Sequence, residues 1–236
     1  MNFVSLASSS KGNAYLVKCG EVAPLLIECG LSIKALREQL AFSLSGLAGC
    51  LISHSHGDHS KAVKDLIKAG VDIWTSSETA DVLGIGGHYR HCSMTTGLVY
   101  GIADWKVVPF DLAHDVPTHG FLIGAPDGDE LLFVPDTSYI RNRFENITIL
   151  VIEANHAADI LSTNIQSGAL PSVVGHRVRR NHLELETVKK FILANGMEKT
   201  LREVHLIHLS AGNSDEERFR REIQELVGRP VYIAAS

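Results

Sequence analysis

Five apolar, strand-like runs in this chain of 236 residues each deliver an ionisable side chain just past their end. Residues 47–52 run into His54, His56, Asp58 and His59; 105–110 lead to His114; 131–134 to Asp136; 147–152 to Glu153 and His156; and 204–207 to His208. Helix-period segments near 32–40, 62–70, 76–83, 155–167, 183–194 and 214–227 separate these runs from further short strands. In layered α/β proteins, loops from separate strands converge at the carboxyl ends of the strands, where they make a rigid edge that can hold a ligand. The pattern predicts an α/β fold that gathers distant residues into one site. Residues 84–101 fit no period, because glycines and histidines interrupt them. With no Pro- or Ser-rich linker, residues 1–236 read as a single domain.

The densest cluster is His54-Ser-His56-Gly-Asp58-His59, four potential metal ligands within six residues. Two histidines at i and i+2 at a strand end point to the same side, because side-chain direction repeats every two residues. After the turn at Gly57, Asp58 and His59 can face a second ion. Zn²⁺ takes imidazole nitrogen and carboxylate oxygen, and a site that keeps one position for water is catalytic.

Composition excludes several classes. With 22 Lys+Arg against 27 Asp+Glu the net charge is -5, so the whole molecule does not attract nucleic acid and a polyanion must be held locally. Aromatic content of 6% offers few stacking platforms. Cys19, Cys29, Cys50 and Cys92 show neither Cys-x-x-Cys nor zinc-finger spacing, and they read as small apolar residues in a reducing compartment. The N-terminus carries no signal-peptide or membrane-span pattern, so the expectation is a cytoplasmic protein with no membrane partner, compatible with a homo-oligomer.

The series His54-x-His56-x-Asp58-His59, His114, Asp136 and His208 resembles the ligand series of the metallo-β-lactamase superfamily. Ser8-Ser-Ser-Lys-Gly12-Asn13, Asp136-Thr-Ser-Tyr, Glu153-Ala-Asn-His156 and His208-Leu-Ser are similar to motifs of its nuclease-associated YycJ/WalJ-like branch. Two departures stand out. Ala157 sits where the branch has an Asp, with Asp159 two residues later, and His182 keeps its histidine in changed surroundings. The resemblance implies a four-layer αββα sandwich with a metal site at one edge between two mixed sheets. It implies two divalent ions, Zn²⁺ or alternatively Mn²⁺: one held by His54, His56 and His114, the other by Asp58, His59 and His208, with Asp136 bridging. A hydroxide shared by the ions would be the nucleophile, oriented by Asp58.

Outside the ligands, His182 is a candidate to protonate the leaving group or touch the scissile phosphate, and equally suits a helix start. Arg177, Arg179 and Arg180 form the densest basic run and match phosphate oxygens, although a solvated strand face gives the same pattern. His156 suits either the site or the first turn of a helix capped by Asn155, and Ser10 and Asn13 suit either a turn near the site or a plain hairpin. The expected function is a metal-dependent phosphodiesterase, foremost an exonuclease on single-stranded DNA or RNA. Cleavage of cyclic nucleotides or other small phosphodiesters is the first alternative. Hydrolysis of a thioester, lactone or β-lactam is the next, and a purely structural metal the last.

Overall fold

Strand β1 (Asn2–Ser9) and strand β2 (Gly12–Lys18) form an antiparallel hairpin across the Ser9–Gly12 turn. A computed structural model, which describes residues 1–41 and 43–234, places this hairpin at one side of a six-stranded sheet. The sheet continues through β3 (Leu25–Ile27), β4 (Gly49–Leu51), β5 (Ile73–Thr75) and β6 (His91–Ser93), with β3 to β6 parallel. Parallel strands need crossovers, supplied by α1 (Ile33–Gln39), by α2 (Gly57–Ser60) with α3 (Val63–Lys68), and by α4 (Ser77–Leu83). Ser32 and Ser76 begin α1 and α4 by accepting from Ala35 N and Thr79 N. Leu16, Leu26, Leu36, Cys50, Ile52, Leu66 and Ile73 make the core, each large side chain contributing about 2 kcal/mol by burial.

The chain divides into two compact units. The first comprises Met1–Asp111 and Val116–Asp129; besides the six-stranded sheet it holds nearly all of β7 (Tyr100–Ile102), β8 (Trp105–Leu112) and β9 (Thr118–Gly124). The second comprises Leu112–Asp115 and Glu130–Ala234. It contains β10 (Glu130–Val134), β11 (Ile149–Glu153), β12 (Glu203–Ile207) and β13 (Val231–Ile233), neighbours in the order β13-β12-β11-β10 and parallel throughout. Its helices are α5 (Ala158–Gln166), α6 (Ser172–Asn181), α7 (Leu185–Ala194) and α8 (Glu216–Val227). Every residue of β11 is buried, which is why 147–152 reads as a continuous apolar run instead of an alternating one.

Parallel pairing sets where chemistry gathers. Asp136, Glu153 and His208 all follow or end β10, β11 and β12, so the second unit puts them on one edge of its strands. Glu28 and His54 follow the parallel pair β3 and β4 in the first unit in the same way. The expected helix at 155–167 begins only at Ala158, so His156 is not a helix-start residue: it makes a parallel bridge with Glu184 while Asn155 N donates to Leu183 O. His182 likewise closes α6 and does not open α7. The basic run 175–180, weighed as a solvated strand face, lies instead in helix α6, while strands β6 and β7 carry no sequence expectation. Among the described residues no helix is long and apolar enough to cross a membrane.

Candidate functional site

In the first unit the functional side chains collect around Glu28, His54 and His59, whose ligating atoms lie within 4.8 Å of one another. Glu28 is fully buried at φ 61°, a left-handed conformation that costs a non-glycine residue about 1 kcal/mol. Its two oxygens accept from Ser53 N at 3.3 and 3.4 Å, and Oε1 lies 3.5 Å from His59 Nδ1. Burial raises the Glu28 carboxyl above its ordinary value against the opposing pull of His59. His54 Nδ1 bonds to Ser53 Oγ at 2.7 Å, while His54 Nε2 and His56 Nδ1 approach to 3.1 Å. The i, i+2 histidines therefore face each other, as the spacing predicts.

Asp58 and His59 lie in α2, and Asn13 holds that helix. Asn13 is fully buried; its Nδ2 donates to Asp58 O at 3.2 Å and lies 3.2 Å from His59 Nε2. The Asn13 Oδ1 accepts in turn from the Tyr15 hydroxyl at 3.0 Å, and Tyr15 bonds to Ser8 at 2.8 Å. Ser10 is exposed at the tip of the hairpin. The approach is close enough to require glycine at Gly30, where a Cβ would sit 1.7 Å from Asp58 O.

In the second unit Asp136, Glu153, His182 and His208 converge within the same 4.8 Å limit. Glu153, fully buried, is the hub. Its Oε1 accepts from His182 Nδ1 at 2.5 Å and from His208 Nδ1 at 2.9 Å, while Oε2 accepts from Thr137 N at 3.1 Å and Leu183 N at 3.0 Å. Burial works to lower the His182 pKa, but the charge and hydrogen bond of Glu153, with Asp136, outweigh it and the net shift is upward. Glu153 is held below its ordinary value: the neighbouring His182 overcomes the effect of burial. His208 adopts φ 53° with its carbonyl held by Asn155 Nδ2 at 3.0 Å, and its Nδ1 also lies 2.9 Å from Asp136 Oδ1.

His114 turns Nδ1 toward Asn181 O at 3.0 Å, which fixes that nitrogen as the donor, and its Nε2 lies 3.2 Å from Asp115. Burial lowers its pKa, favouring the neutral imidazole that binds metal. A cleft of about 710 Å³ beside it is lined by Asp115, Ser138, His176, Arg177 and Arg180. Arg179 points elsewhere and donates to Ser162 Oγ at 2.9 Å. His156 is buried, and burial pushes its pKa down to about 4. Asp159 does not replace the carboxylate missing at Ala157: it is exposed and pairs with Arg218 at 2.7 Å. A larger cleft, about 1030 Å³, runs along α8 and β13 and includes no member of either cluster.

The donor sets fit divalent metal. In each cluster imidazole nitrogens and carboxylate oxygens gather within 4.8 Å, the mixed N/O set that such ions take, and Glu153 behind His208 Nδ1 directs the opposite ring nitrogen away from the carboxylate. A family model described as the beta-lactamase superfamily domain matches residues 24–204. The chain belongs to the metallo-β-lactamase superfamily. As a member it is a metal-dependent hydrolase of the YycJ-like branch. It is 25% identical over 243 residues to exodeoxyribonuclease YycJ of Bacillus anthracis, covering 96% of this chain and 89% of the relative.

Solved structures show the same superfamily fold. The metallo-β-lactamase fold protein YhfI of Bacillus subtilis superposes with a TM-score of 0.78 at 16% identity, covering 99% of this chain and 96% of that one. Zn(2+)-bound PqqB from Methylobacterium extorquens gives 0.72 at 13%, covering 100% and 98%. The short form of human tRNase Z gives 0.67 at 13%, covering 100% and 97%. Sequence reasoning overlooked Glu28, although it ends an apolar run just as Glu153 does.

Proposed function

We propose that this superfamily member is a phosphodiesterase acting as an exonuclease on single-stranded nucleic acid, with residues 1–236 working as one hydrolase domain. The observation that carries the reading is the cleft beside His114: a candidate metal ligand shares it with Arg177 and Arg180, cations that match phosphate oxygens. The relative named an exodeoxyribonuclease, matched over nearly the whole chain, supports it.

The superfamily ligand series assigns His54, His56 and His114 to one ion and Asp58, His59 and His208 to another, with Asp136 shared. The imidazole-rich donor set favours Zn²⁺. When bound, the ions supply an acidified water and neutralise phosphate charge. The chain's residues do the rest. Glu153 fixes the ring of His208 through its Nδ1 at 2.9 Å, and the Glu28 carboxylate faces His59 Nδ1 at 3.5 Å. Asp58, anchored by Asn13, orients the attacking water. Glu153 Oε1 accepts the Nδ1 proton of His182, so Nε2 is the atom that can give a proton to the departing oxygen.

A leaving-group comparison tests this. His182→Asn is expected to lower kcat on single-stranded DNA by about 10²-fold or more, the usual contribution of a general acid. The same variant should lose little on bis(p-nitrophenyl) phosphate, whose leaving group departs without a proton. Equal losses on both substrates would remove the proton-donor role.

A further inference from the structure

The loop that carries Asp136 is pinned. Thr137 N donates to Glu153, Ser138 N donates to Ala113 O at 2.8 Å, and Tyr139 N donates to Thr137 Oγ1 at 3.2 Å. On that fixed backbone, three residues past Asp136, the Tyr139 side chain stands 57% exposed. One exposed aromatic ring is ordinary on a protein surface. What distinguishes this one is its flanks.

On one side Tyr139 borders a cleft of about 240 Å³, with Arg141, Arg143 and Lys190 around a floor of Ile140 and Phe191. On the other, the adjacent residue Ser138 lines the cleft that holds His114, Arg177 and Arg180. Arg143 is engaged by the Ala194 carbonyl and Arg177 by Asp115 at 3.6 Å. Among the described residues, Arg141, Lys190 and Arg180 have no carboxylate partner. In a chain of net charge -5, unpaired cations on both flanks of one exposed ring carried by a pinned backbone form a local exception to the overall charge.

We propose that Tyr139 is a stacking platform for one base of a single-stranded polynucleotide, with Arg141 and Lys190 taking phosphates on one flank and Arg177 and Arg180 on the other. The proposal rests on the phosphodiesterase reading and narrows it to a polymer. Base faces in a duplex are covered by their neighbours, so only an unpaired strand can offer one to the ring. An acidic peptide would match the cations and leave the ring unused. A cyclic mononucleotide would occupy one flank only.

Fluorescence anisotropy on the full-length, chelator-treated protein tests it, using labelled oligothymidylate and an abasic oligomer of equal length and charge. Tyr139→Ala is expected to weaken oligothymidylate binding about tenfold, within the range that base–aromatic stacking supplies. Affinity for the abasic oligomer should stay where it was, and Tyr139→Phe should restore the wild-type value. The Arg141→Ala/Lys190→Ala pair is expected to weaken both oligomers and to reduce the salt dependence of binding. Tyr139→Ala that binds oligothymidylate like wild type, or that loses both oligomers equally, overturns the stacking role. Hydrolysis of bis(p-nitrophenyl) phosphate by the metal-loaded wild type separates the two levels. If it persists while Tyr139→Ala has no effect on binding, only the polymer proposal falls; if no phosphodiester is cleaved at all, both fall.

Discussion

Glu153 accepts four hydrogen bonds with no solvent to share the load, two from backbone amides and two from the imidazoles of His182 and His208. Only an ionised carboxylate offers four acceptor sites in this shape. Glu153→Gln preserves the volume but aims an NH₂ group at donors, so one imidazole must turn. The expected outcome is metal affinity weakened about 10- to 100-fold, the usual effect of removing a group that orients a ligand. Competition with a chelating dye measures it, and an unchanged affinity would contradict the orienting role. The positions of His54, His56, Asp58, His59, His114, Asp136 and His208 were legible as ionisable residues just past apolar runs. Their partners were harder to read. Asn13 looks like any hairpin residue, and only its burial against Asp58 and His59 reveals that it anchors α2.

Elements carry constraints that single residues do not show. Gly30 lets the turn after β3 pass beneath Asp58, and a methyl group there would collide with the Asp58 carbonyl at 1.7 Å and with Asn13 N at 2.8 Å. Gly30→Ala therefore forces α2 to move. We expect a loss of about 2–4 kcal/mol in denaturant unfolding, in the range of overpacking and strain, together with reduced metal content. Wild-type values for both would show that the turn relaxes freely.

Helix α8 is tethered through Arg218, which donates to Asp159 of α5 at 2.7 Å and to Glu222 at 2.8 Å, while Lys189 of α7 reaches Glu222 at 3.0 Å. Arg218 holds the Asp159 and Glu222 carboxyls below their ordinary values. A depressed carboxylate contributes stability above its unfolded pKa of about 4, and that contribution is lost as pH falls through the folded value. Arg218→Met should thus cost about 0.5–1 kcal/mol at pH 7, modest because the pairs are largely exposed, with the difference from wild type fading in strong acid. Urea midpoints across pH measure it, and a cost that persists in strong acid would contradict the tether. Helix α6 had escaped sequence reading because it buries only Gly175 and Asn181, exposing Val173 and Val174, so it has no apolar stripe to detect. Strands β6 and β7 are three residues long, which is too short for an alternation to show.

At the scale of the whole chain, membership of the metallo-β-lactamase superfamily fixes the fold and the class of chemistry, and the -5 net charge sets how a polyanion must be met. Association is expected to depend on a few local cations near His114 and Tyr139 and not on a general field. The alternation of buried strands and helices made the α/β class readable from sequence, because strand burial in parallel sheets is nearly continuous. The substrate was less readable, since many hydrolases share this scaffold and the basic clefts are assembled from α6, α7 and the loop after β10. The most direct test is a turnover panel on metal-loaded protein, with Zn²⁺ and Mn²⁺ separately. It would set end-labelled single-stranded DNA and RNA beside cyclic mononucleotides, a thioester and a lactone, with a chelated control. The account predicts chelator-sensitive shortening of a polymer from one end. Hydrolysis of the thioester or lactone with every phosphodiester left intact would contradict it.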